Sequence, residues 1–281
     1  MSEALATAPA PPGIRLVSAP RPGGGRPASF WRFEGAPAPG TGRTPLLAVA
    51  GLGLDGRVFR SLAPLAADRD LVLANLPNEV PPGPALEPFV RAALETLDAA
   101  GHAGRPAVLA GSSFGGMVAL AAALAAPERT AALVLLGTGP GWSWVRPRLR
   151  AGALLHPLVP RRAYPRVFAA VMLPPGRWAD PAAREDLRVQ MLHRTKGFIG
   201  ACVAGMRAFD GGERLGEVRA PALVVHGDQD AVFPPAAGDA LASRLPRRTL
   251  RTIEDCGHLP HVSRPSETLD AIRSFLAREG L

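Results

Sequence analysis

Cysteine is scarce in this 281-residue chain, occurring only at Cys202 and Cys256. Two thiols do not make a disulfide framework, so the sequence predicts free, buried cysteines and a reduced, cytoplasmic setting. Long apolar runs are missing as well. No stretch approaches the roughly 18 residues that a membrane-crossing helix requires, and no transmembrane segment is expected. The opening Met-Ser-Glu-Ala-Leu-Ala-Thr-Ala-Pro-Ala has no basic stretch ahead of an apolar core, so no secretory leader is expected either. The six histidines are scattered without H-x-x-x-H spacing and the cysteines are not paired in sequence, which leaves no metal-ligand set. The stretch Gly51-Leu-Gly-Leu-Asp-Gly56 lacks G-x-G-x-x-G and an acidic ribose partner, so no cofactor is expected. Lysine is nearly absent: Lys196 stands alone among 32 basic residues.

The charge that is present is unevenly placed. Residues 141–210 hold 12 Arg/Lys against 4 Asp/Glu, a surplus of eight that equals the whole net charge of +8. The remainder of the chain is neutral. Arg146, Arg148, Arg150, Arg161, Arg162, Arg166, Arg184 and Arg188 are either a solvated face or a basic rim for an anionic substrate or an acidic carrier protein. Without interleaved aromatics or a known binding module, no nucleic-acid partner is expected.

Strand and helix signals alternate along most of the chain. Pro/Gly/Ala-rich residues 1–13 predict a flexible tail. Ile14–Ser18 and Ser29–Phe33 read as short antiparallel strands. Leu46–Ala50, Asp70–Leu76, Val108–Ala110, Ala132–Leu136, Ala222–His226 and Thr249–Ile253 read as strands, several of them continuous apolar runs suited to burial on both faces. Helices are expected over 57–67, 86–99, 114–125, 236–244 and 265–278. Residues 139–215 interrupt this rhythm with helical patterning broken by prolines, among them Pro147, Pro157, Pro160, Pro165, Pro174 and Pro175. The pattern predicts an α/β fold, a doubly wound and mostly parallel sheet built from 14–138 and 216–281, with a helical lid inserted at 139–215.

One stretch carries the chemistry. Pro106-Ala-Val-Leu-Ala-Gly-Ser-Ser-Phe-Gly-Gly-Met117 turns from a buried strand into a helix through G-x-S-x-G, with Ser113 at its centre. So sharp a turn strains the serine backbone and needs small flanking residues. A serine hydroxyl needs a histidine to take its proton and a carboxylate to orient that histidine. Downstream, one strand runs into Gly227-Asp-Gln-Asp-Ala-Val-Phe-Pro234 and another into Glu254-Asp-Cys-Gly-His258-Leu-Pro-His261. Ser112 competes with Ser113, Asp228 and Asp255 with Asp230, and His261 with His258. Remaining histidines read as surface, lid or strand residues.

In these three motifs and their order the sequence resembles the α/β-hydrolase superfamily, in its serine hydrolase branch with a helical lid, over residue 14 to the C-terminus apart from the divergent lid. The resemblance implies a catalytic Ser113, His258 and Asp230, the last supported by Pro234 four residues on, with oxyanion-hole amides from Leu52 and Phe114. It further implies an esterase-like activity on a small or medium, largely apolar ester, with a thioesterase or acyltransferase on carrier-bound acyl groups as one alternative and a non-catalytic ligand-binding module as another. Two stretches depart from the pattern: Ala50 stands where relatives usually carry histidine, and Asn75–Val80 replaces a common Asp/Gly-rich run.

Overall fold

Short runs of consecutive apolar residues form the centre of the sheet. The computed structural model describes residues 13–21, 24, 26–79, 86–155, 158–160, 163–173 and 181–281, so the predicted tail lies outside the described residues except for Gly13. The strands are β1 (Ile14–Ala19), β2 (Ala28–Phe33), β3 (Leu46–Val49), β4 (Leu71–Asn75), β5 (Ala107–Ser112), β6 (Thr130–Leu136), β7 (Ala222–Gly227) and β8 (Arg248–Ile253). They lie in the order β1-β2-β4-β3-β5-β6-β7-β8. β2 pairs antiparallel with β1 and β4, and every other pairing is parallel. Every residue of β3, β5 and β7 is buried, which for a parallel sheet means helices on both faces. β8 closes the edge and is largely exposed, in keeping with its sequence Arg-Thr-Leu-Arg-Thr-Ile.

The helices follow the expected alternation, with local differences. α1 (Glu87–Leu97) and α2 (Phe114–Ala125) pack on one another and on the central strands. Between β3 and β4 the expected helix takes the form of a 3-10 segment, Gly56–Ala67, with Pro64 inside it. Its N-terminus is capped by Asp55, whose carboxylate accepts from the Arg57 amide.

Among the described residues four α-helices lie between β6 and β7: α3 (Pro147–Leu154), α4 (Tyr164–Met172), α5 (Pro181–Leu192) and α6 (Lys196–Ala208). Pro147 and Pro165 break the helical patterning by standing in first helical turns, where a missing amide costs nothing and a fixed φ helps. Pro157, Pro174, Pro175, Arg161 and Arg162 lie outside the described residues. The two ends of this insertion meet: Gly141 bridges Asp210, and the Gly211 amide donates to the Pro140 carbonyl at 2.8 Å. Leu187, Met191, Phe198, Ile199, Cys202 and Met206 are buried and continuous with the core of the sheet. After β7 come α7 (Pro235–Arg244), a single turn α8 (Pro260–Ser263) and α9 (Pro265–Arg278). Among the described residues no helix is long and apolar enough to cross a membrane.

Candidate active site

β5 ends in Gly111-Ser112-Ser113-Phe114-Gly115, and the strain at this corner can be read directly. Ser113 has φ 53° and ψ −116°, one of two positive-φ non-glycine residues among those described. The flanking glycines make the turn possible. A Cβ at Gly115 would overlap the carbonyl oxygen of Val49, and one at Gly111 the carbonyl of Gly115. The strained residue is held from all sides, as such a conformation requires. Its amide donates to Leu136 O at 2.9 Å, and its carbonyl accepts from the amides of Gly116 (2.9 Å) and Met117 (3.2 Å). The Thr138 hydroxyl donates to the same carbonyl at 2.8 Å. Phe114 is the first residue of α2, so its N–H belongs to the turn whose donors find no intrahelical acceptor and can face an anion. Ser112 is a strand residue, with a buried hydroxyl that has no partner among the described residues.

The loop after β3 reaches the same corner. A Cβ placed on Gly51 would lie 3.5 Å from Ser113 Cβ, and Leu52, half-buried, follows it. The turn closes through Leu54 N–H to Gly51 O at 3.0 Å, with Gly53 at φ 77°.

Asp230 and His258 are brought together by the loops after β7 and β8. His258 Nδ1 lies 3.0 and 2.9 Å from the two carboxylate oxygens of Asp230, and both side chains are almost fully buried. Between a carboxylate and an imidazole the nitrogen must be the donor, so Nδ1 carries a proton, and in the neutral imidazole it is Nε2 that holds the lone pair. That Nε2 is buried and has no hydrogen-bond partner among the described residues. Ser113 is thus not hydrogen-bonded to it in this structure, although the backbones of both residues border the same stretch: Leu136 O holds the Ser113 amide, and a Cβ on Gly137 would overlap His258 O. Apo geometry of such pairs is often looser than the reacting geometry.

Asp230 is itself fixed. Its Oδ1 accepts from the amides of Val232 (2.7 Å) and Phe233 (3.0 Å). Its Oδ2 lies 3.3 Å from His226 Nε2, which also lies 3.0 Å from the Phe233 carbonyl oxygen and must therefore be protonated to donate there. In the sequence His226 is one more strand histidine, and its place at the end of β7, four residues before Asp230, is the only signal there of this contact. The competing acids are occupied elsewhere, Asp228 in accepting from the Cys256 amide at 3.1 Å and Asp255 in an ion pair with Arg264. His261 lies in α8, fully buried and stacked on Phe59. It borders a cavity of about 500 Å³, also lined by Val58, Ser61, Asp186 and Leu187, that contains none of the candidate catalytic side chains in its lining.

Comparison with known proteins places the chain in a family. The model of the Alpha/beta hydrolase family matches residues 22–271. A pimeloyl-[acyl-carrier protein] methyl ester esterase from Aromatoleum aromaticum is 31% identical over 244 residues, covering 80% of this chain and 95% of that protein. A 2-hydroxy-6-oxononadienedioate/2-hydroxy-6-oxononatrienedioate hydrolase from Klebsiella pneumoniae is 33% identical over 178 residues, 60% of this chain and 62% of that one. Among solved structures, a thermophilic esterase from Thermogutta terrifontis superposes with a TM-score of 0.76 at 25% identity, covering 95% of this chain and all of that one.

Proposed function

The chain belongs to the alpha/beta hydrolase family, and from that premise we propose that it cleaves a carboxylic ester of a small or medium, largely apolar acyl group through Ser113, His258 and Asp230. Ser113 Oγ attacks the ester carbonyl while His258 Nε2 takes its proton. Asp230 keeps His258 in the tautomer with Nδ1 protonated and stabilises the imidazolium that forms. The amides of Leu52 and Phe114 hold the oxyanion. His258 then returns the proton to the leaving alcohol, and water, activated by the same nitrogen, releases the acid from the acyl-enzyme.

The observation that carries this reading is the buried Asp230–His258 pair, whose Nε2 has no partner among the described residues, together with a serine held at positive φ at the strand-to-helix corner. The helices of 139–215 serve as the lid, their buried apolar side chains continuous with the core beside the β3 loop. Hydrolysis of p-nitrophenyl esters from acetate to laurate, run beside Ser113→Ala, tests the proposal. Turnover that disappears in the variant supports it and its chain-length optimum sizes the pocket. Equal turnover by both proteins would sink the serine mechanism.

A carrier-bound ester is the second reading. The relative from Aromatoleum aromaticum is named for a substrate on an acyl-carrier protein, and Arg148 and Arg166 of the insertion are exposed. An acidic carrier docked on these guanidiniums would give turnover that falls with added salt and with Arg→Glu changes there, whereas a free ester would be indifferent to both.

A further inference from the structure

The loop that supplies Leu52 is poor in means of fixing itself. Gly51-Leu-Gly-Leu54 holds one turn hydrogen bond, and Ala50 before it has only a methyl group. Yet an oxyanion donor must be placed to a fraction of an ångström, since displacement of about 1 Å can cost about 10²-fold in rate. The support comes from the helical insertion. Arg194, in the turn between α5 and α6, is 5% exposed. One Nη donates to Leu54 O and the other to Leu76 O, both at 2.7 Å, and Asn75 Oδ1 lies 3.4 Å away. The guanidinium is stacked 4.5 Å above the Phe198 ring.

Two neighbours on α5 reach the same loop. Gln190, fully buried, accepts the Asp55 amide at 3.1 Å, and Met191 packs so closely on Gly53 that a Cβ there would overlap its thioether. Residues 53, 54 and 55 are thus each held by the insertion. A buried cation whose partners are carbonyl oxygens is costly, and a packed Leu or Met would fill the place more cheaply if filling were all that was required. Burial duly pushes the Arg194 pKa down. What the guanidinium uniquely provides is a fork with two donors aimed at two loops at once.

We infer that Arg194 is a positioning residue that ties the helical insertion to the oxyanion loop, so that the Leu52 amide is set for catalysis only while the insertion is seated. The inference rests on the serine-hydrolase reading above and names a regulator of that same site.

The test is kinetic, on the full chain, with the p-nitrophenyl ester the wild type cleaves best. Arg194→Met, Arg194→Lys and Gln190→Leu are compared with Arg188→Ala, which removes an exposed pair with Glu185 on the same helix. Loss of one oxyanion donor costs about 10²–10³ in kcat, so a displaced donor should cost Arg194→Met about 10- to 100-fold. KM should change by less than about twofold, because the interaction is made in the transition state. The pH profile of kcat/KM should keep its shape, since His258 and Asp230 are untouched. Gln190→Leu should show the same pattern more weakly, Arg194→Lys should recover part of the loss, and Arg188→Ala should match wild type. If Arg194→Met does not fold, Gln190→Leu decides. Folded variants at 190 and 194 with wild-type kcat would reduce Arg194 to packing and overturn the inference while leaving the mechanism intact. A wild type without Ser113-dependent turnover would instead overturn the functional reading, and this inference with it.

Discussion

His261 offers a measurement of stability that does not depend on function. The side chain is fully buried, its ring is stacked on Phe59 with centroids 4.9 Å apart, and neither ring nitrogen has a partner among the described residues. Burial, reinforced by nearby His258, pushes its pKa from 6.5 down to about 3. The depressed value fixes the sign. Above pH 7 the imidazole is neutral in both folded and unfolded chains and contributes nothing to the pH dependence. Below 6.5 the unfolded chain takes up a proton that the folded chain refuses, so stability falls as pH falls, down to about 3. With about 1.36 kcal/mol per pH unit, the loss between pH 7.5 and pH 5 is about 2 kcal/mol.

His261→Phe keeps a ring on Phe59 and deletes both nitrogens. Urea unfolding followed by tryptophan fluorescence at pH 7.5, 6 and 5 would give the stability of both proteins. The other ionisable groups are common to both and cancel in the difference. The variant should be at least as stable at pH 7.5, because two unpaired polar atoms are gone, and should gain about 2 kcal/mol on wild type by pH 5. A wild-type-to-variant gap unchanged between pH 7.5 and pH 5 would mean that folded His261 protonates freely, and the burial argument would fail.

Other outcomes follow from the site. Ser113→Ala should abolish labelling by a serine-directed phosphonate and lower kcat by more than about 10³-fold, leaving only what binding and the oxyanion donors supply. Asp230→Asn should leave a folded protein with kcat lower by about 10⁴, because an amide no longer enforces the Nδ1-protonated tautomer; steady-state kinetics beside circular dichroism reads both parts. His226→Leu leaves the Phe233 carbonyl oxygen without its imidazole donor and should cost about 1–3 kcal/mol in a urea titration. Gly115→Ala forces a Cβ into Val49 O and should cost about 3 kcal/mol or more, with phosphonate labelling lost in whatever protein still folds.

Much of the candidate site was legible because its determinants are local. A strained serine between a strand and a helix needs glycine at both flanks, and the clash of a Cβ with Val49 or with the Gly115 carbonyl is the physical content of the G-x-S-x-G pattern. Asp230 and His258 stand in loops directly after strands whose apolar runs were visible, so the parallel sheet delivers both to the same edge. His226 was half legible, since its strand was clear but its partner was hidden in the fold of the next loop. Pro147 and Pro165 separate the helices of the insertion by standing at their starts, a detail not legible because a proline that ends one segment and one that begins a helix look alike without the neighbouring turn. Arg194 was not legible at all. Its acceptors lie 118 and 140 residues away in sequence, and within the insertion it is one basic residue among 12 between 141 and 210.

That contrast bears on how the chain is put together. The two ends of the insertion are pinned by the Gly141–Asp210 bridge. From there one arm reaches the acid loop, where the Arg146 amide donates to Val232 O at 3.0 Å and its guanidinium lies 3.4 Å from Asp230 O. The other arm grips the β3 loop through Gln190, Met191 and Arg194. The Ser113 backbone is bonded to neither arm, its amide and carbonyl being held by β6 and Thr138. Under the proposed mechanism, changes in the insertion should therefore act on the orientation of His258 and on the Leu52 amide while leaving Ser113 in place. Insertion variants that slow turnover but still acquire a phosphonate at Ser113 would fit this division, whereas variants that also distort the elbow, exposing it to proteolysis around Gly111–Gly116, would contradict it.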